Sequence, residues 1–154
     1  MKKWIVLAAA VLLAAGTVAA QTPEEKQASA DRIALLRQPA PKDCGIQKID
    51  EAVGKCQSLA GGVVAIADAT AALTGEAEGV DPVALAEQLK KAGTDLSDAA
   101  QVLGEAAAAL KEVKNPMKLK SAKKSLDYAQ AVVKAAGEEL PYQGKVVAAL
   151  VGGE

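Results

Sequence analysis

The segment DPVALAEQLKKAGTDLSDAAQVLGEAAAALKEVK, Asp81–Lys114, places an apolar residue at every third or fourth position without a slip. Leu85, Leu89, Ala92, Leu96, Ala99, Leu103, Ala106, Leu110 and Val113 form one stripe of a heptad. Leu recurs at one core position and Ala at the other. Asp81 can cap such a helix and Pro82 fits its first position, so the spacing predicts one helix over 82–114.

The same code continues beyond Asn115-Pro116, a capping pair too short for anything but a tight reversal. Leu119, Ala122, Leu126, Ala129, Val133, Ala136 and Leu140 predict a second helix over 116–140, which Pro141 then breaks. A short piece over 142–150 follows. Two antiparallel helices with this alternation can set Leu against Ala, bringing their axes to about 8 Å.

Upstream, Ile46, Ile49, Val53, Cys56, Ala60, Val63, Ala67 and Thr70 predict a helix over 46–74. Its half from Leu59 to Leu73 carries a single charge, Asp68, and reads as the segment most surrounded by others. Gly61-Gly62 there marks a kink or a close approach of another helix. Thr22-Pro23-Glu24-Glu25 carries a capping box for a shorter helix over 23–38, stopped by Pro39 and Pro41. The fold class is all-α: an antiparallel bundle of three long helices plus a short N-terminal helix, with heptad-type Leu/Ala packing.

Residues 1–20 read differently. Met1-Lys2-Lys3 precedes an apolar run from Trp4 to Ala15, and Val18-Ala19-Ala20 supplies small residues for cleavage. That is the pattern of a secretory signal peptide, with Gln21 opening a single bundle domain over 21–154. The expected location is periplasmic or secreted, from a bacterium.

In that oxidising setting Cys44 and Cys56 bear on each other. On one continuous helix they would stand about 18 Å apart, too far for a disulfide. A bond between them requires Cys44 to lie in a loop that folds back. Pairing within the chain, free thiols and a bond between chains all remain open.

The composition excludes much chemistry. The chain has no His and no Phe, and Trp4 lies in the leader, leaving Tyr128 and Tyr142 as the only later aromatics. Without His there is no Ser-His or Cys-His nucleophile, and two cysteines alone make a poor metal site. No phosphate loop is present. Carboxylate pairs such as Asp95 with Asp98 and Glu138 with Glu139 fall outside the seams and read as solvated. No cofactor is expected. The chain carries 18 basic and 19 acidic residues, a balance that argues against a nucleic-acid binder.

One constellation stands out. Lys111, Lys114, Lys118, Lys120, Lys123 and Lys124 crowd the joint between the two matched helices. In a hairpin they gather at one end, with Glu76, Glu78, Asp81, Glu138 and Glu139 at the other. Such an end could contact an anionic membrane surface or a cell-wall polymer. The expected function is that of a non-enzymatic envelope protein, a structural or interaction module whose partner is a second copy or another envelope protein. The alternative is a periplasmic carrier or sensor that holds an apolar or lipid-like ligand between helices.

Overall fold

The computed structural model describes residues 21–74 and 79–151. Among them are four helices and no strand: α1 (Pro23–Leu36), α2 (Gln47–Thr74), α3 (Pro82–Leu110) and α4 (Pro116–Val151). The signal-peptide segment, Glu76, Glu78 and the final Gly152-Gly153-Glu154 lie outside the described residues.

Local chemistry sets the helix starts. Thr22 accepts from the Glu25 N–H at 3.2 Å while the Glu25 carboxylate accepts from the Thr22 N–H at 3.0 Å, closing the expected capping box on α1. The Asp50 carboxylate accepts from Cys44 N–H and Gly45 N–H at 2.8 and 3.0 Å, tying the preceding loop onto the first turn of α2. Gly45 sits there at φ 78°, a conformation suited to glycine. Asp81 accepts from the Val83 N–H at 2.9 Å to start α3. Asn115 accepts from the Met117 and Lys118 N–H groups at 3.0 and 3.3 Å to start α4.

The α3–α4 hairpin packs through the residues the heptad singles out. Leu85, Leu89, Ala92, Ala99 and Ala106 of α3 are buried, as are Ala122, Leu126, Ala129, Ala136 and Leu140 of α4. Leu96 reaches over Gly137, where an added Cβ would sit 3.9 Å from its Cδ2 atom. There a large side chain meets a residue with none, the condition for a close helix pair. The α2 stripe packs against both. Ile49, Val53, Cys56, Ala60, Val63 and Thr70 are all buried. By length and composition α2 could also cross a membrane, its apolar 18-residue stretch having a mean hydropathy of 1.4. In this structure its stripe closes the three-helix core.

Four expectations need correction. Helix α3 stops at Leu110 rather than Lys114, because Lys111, Glu112 and Val113 donate three residues back and tighten the last turn. Helix α1 likewise stops at Leu36, two residues before Gln38. Pro141 does not end α4, which runs unbroken to Val151. Proline there loses the bond to the Gly137 carbonyl and crowds that carbonyl with its ring, and burial of Leu140, Gln143, Val146 and Val147 on either side outweighs the cost.

The fourth correction concerns Leu59–Leu73. Leu59, Ala60, Val63, Ile66 and Thr70 face the core, but Gly61, Gly62, Ala65 and Ala71 are exposed. A Cβ added at Gly61 or Gly62 would meet nothing within 4 Å, so no helix approaches there. The residues are apolar but small, and leaving them in water forfeits little transfer energy.

Candidate functional site

The six lysines come together as expected. Lys111 and Lys114 lie in the reversal between α3 and α4, and Lys118, Lys120, Lys123 and Lys124 occupy the first turns of α4. All six are exposed. Among the described residues none forms an ion pair; the pairs present are Arg32–Glu139, Arg37–Asp68 and Lys91–Asp95. Over residues 111–124 six lysines face one acid, Glu112.

Two further residues belong to this tip. Met117, in the first turn of α4, is 82 % exposed with lysines on either side in sequence. It is the most exposed large apolar side chain described. Lys42 joins from the loop before α2, which runs beside Ser121, Lys124 and Tyr128 of α4. Sequence alone could have singled out Met117, since it falls off the Leu/Ala stripe yet is apolar. Lys42 is brought in only by the path of the loop. The lysines of α4 also lie near the positive end of its helix dipole, a placement that costs stability.

At the opposite end, one of the acids that the sequence places on the surface is withdrawn from it. Glu138 is exposed, but Glu139 is 0 % exposed. Its Oε1 accepts from Ser29 Oγ at 2.6 Å and from Gln143 Nε2 at 2.6 Å. Its Oε2 accepts from Arg32 Nε at 2.7 Å. Arg32 lies over the Tyr142 ring, 5.8 Å from its centroid, and Tyr142 donates to Gln21 Oε1 at 3.1 Å. Burial, then the nearby Glu139 and Glu25 carboxylates, push the Tyr142 hydroxyl above its usual pKa. The cluster fastens α1 to α4. A sequence signal for it exists: Ser125, Val132, Glu139 and Val146 recur every seven residues, and all four are buried. That second stripe on α4, beside the Leu/Ala seam, faces α1 and α2.

Cys44 and Cys56 are free thiols, both buried. They belong to separate parts of the core. Cys44 packs with Ile49, Ala106, Ala122 and Leu126, whereas Cys56 packs with Leu59, Val63 and Val132 in the main cluster. The loop does fold back toward α2, but the bond between them is not formed. Burial pushes the Cys56 thiol up to about 11. Burial, followed by the hydrogen bond with Asp50, raises Cys44 as well. Neither thiol is therefore poised as a nucleophile. Among the described residues no three His, Cys, Asp or Glu side chains gather as a metal ion would require.

Comparison with known proteins finds no matching family model, no matching curated protein and no matching solved structure.

Proposed function

We propose that this protein is a non-enzymatic, exported interaction module of the bacterial envelope, and that its hairpin tip docks on the anionic surface of a lipid membrane. The observation that carries this reading is the pairing of six exposed, unpaired lysines with the exposed Met117 at one point of the fold. A purely structural end would be expected to pair its lysines, to spread them, or to keep them off the positive end of α4. A lysine near an anionic leaflet contributes about 1 kcal/mol, and its alkyl stem can lie along the apolar boundary. A methionine entering that boundary adds roughly 1.5–3 kcal/mol. Met117 is what favours lipid over a hydrated cell-wall polymer, which would offer that side chain nothing.

The leader-like Trp4–Ala20 run supports export and also sets how the test is done. The chain from Gln21 is used, because the leader would partition into lipid by itself. Sedimentation with vesicles of half phosphatidylglycerol and half phosphatidylcholine should carry the protein down at about 0.05 M salt and release it at about 0.5 M. Phosphatidylcholine vesicles should not bind it. Lys118→Gln/Lys120→Gln should weaken binding roughly thirtyfold. Binding to purified cell-wall polymer without binding to vesicles would overturn the choice of lipid. Binding to neither would remove the tip as a docking surface.

A further inference from the structure

A second feature lies at the far end of α4, where α1, α2 and α4 border an open cleft of about 430 Å³. Its sides are aliphatic, with Ile33, Ala71 and Val146 among them. Of the polar side chains that line it, three are buried: Ser29, Thr70 and Gln143, at 7, 3 and 4 % exposure.

Each of these three donates into the protein. Ser29 Oγ donates to Glu139 at 2.6 Å, Thr70 Oγ1 to the Ile66 carbonyl at 2.8 Å, and Gln143 Nε2 to Glu139 at 2.6 Å. The hydroxyls have then spent their only hydrogens, and what they keep are lone pairs. Gln143 Oε1 is buried and has no hydrogen-bond partner. The amide orientation is fixed, because the nitrogen must face the carboxylate. A buried acceptor without a donor is costly, and a donor brought by a ligand relieves that cost.

Charge narrows the ligand. Glu139 is neutralised by Arg32 and Asp68 by Arg37, leaving Lys26 at the rim without an acid among the described residues. Among the described residues that line the cleft, a cation would meet no unpaired carboxylate and would be repelled by Lys26. An anion would meet lone pairs on the floor. An uncharged donor suits both.

We infer that this cleft binds a small neutral molecule with a hydroxyl or primary-amide head on a short aliphatic body, the head donating to Gln143 Oε1. Gln143 lines the cleft, and its Oε1 has no donor within the described residues. The site gives the carrier alternative its chemistry. It is independent of membrane docking, so variants of the tip lysines leave it unchanged.

Two isomers, hexan-1-ol and 1-methoxypentane, differ in having or lacking a donor. Titrated into the protein and followed by proton–nitrogen NMR, hexan-1-ol should shift the Gln143 side-chain amide and the backbone N–H groups of Ala30 and Ala71 saturably. It should bind at least about fivefold tighter than the ether. Gln143→Met, checked for retained helix by circular dichroism, should bring the isomers within about twofold of each other. Equal affinity of the two isomers for the native protein would overturn the inference. So would the lack of a saturable shift, or shifts confined to residues outside the cleft.

Discussion

The two ends of α4 handle charge in opposite ways. At its start, Lys118, Lys120, Lys123 and Lys124 stand in water without partners. Some six turns later Glu139 is shut away from water and takes hydrogen bonds from Ser29, Arg32 and Gln143. The first arrangement adds nothing to stability and leaves charge free to meet something else. The second is committed inward, fixing where α1 lies and shaping the cleft beside it. One helix thus separates an end available for partners from an end that holds the fold together.

The comparison breaks most readily at Arg32. Arg32→Ala would leave the Glu139 carboxylate buried without its cation, and chemical denaturation should register a loss of about 3–5 kcal/mol. Lys120→Ala, measured alongside, should change stability by less than about 0.5 kcal/mol. Equal effects at the two positions would abolish the distinction between the ends.

Between them lies the Leu/Ala seam. Ala99 and Ala129 are 1 % and 0 % exposed. Ala99→Leu or Ala129→Leu should overpack it and cost roughly 1–3 kcal/mol. A neutral result at both positions would mean that α3 and α4 are not as close as their small residues allow.

Cys56 sharpens the contrast through pH. Its thiol is raised from an ordinary 9.0 to about 11, so the folded state disfavours the thiolate. The stability tied to the neutral thiol is fully present below pH 9 and is lost as pH climbs from 9 toward 11, about 3 kcal/mol in all. Cys56→Ala should flatten the denaturation midpoint over that range relative to the parent. The slope is diagnostic, because the substitution also removes buried volume.

The smallest effect belongs to the open face of α2. Gly61→Ala should stabilise by about 0.5–1 kcal/mol, since the position is helical and a Cβ there meets nothing. A loss would restore the close approach that the glycine pair first suggests.

Much of the fold was legible because heptad spacing and capping residues are local. The Asp81-Pro82 and Asn115-Pro116 starts, the stripes on α2, α3 and α4, and the exposed lysines could all be read this way. What escaped depends on a third neighbour. Glu139 beside Glu138 looks like a solvated pair until α1 brings Ser29 and Arg32 over it. Pro141 looks like a stop until the apolar residues on both sides are seen to be buried by the bundle. Gly61-Gly62 looks like a contact because sequence does not say which face of an apolar helix is left uncovered. The cysteines show the same limit, since spacing permits a folded-back loop but does not place the two sulfurs.

The central claim is that the lysine tip meets lipid with Met117 entering it. The chain from Gln21 contains no tryptophan, so Met117→Trp places a single fluorophore at the tip. On phosphatidylglycerol-containing vesicles at low salt its emission should shift to the blue, and it should return to the free position at high salt. An emission unchanged by vesicles that do sediment the protein would contradict the account, because the protein would then be held by some other surface.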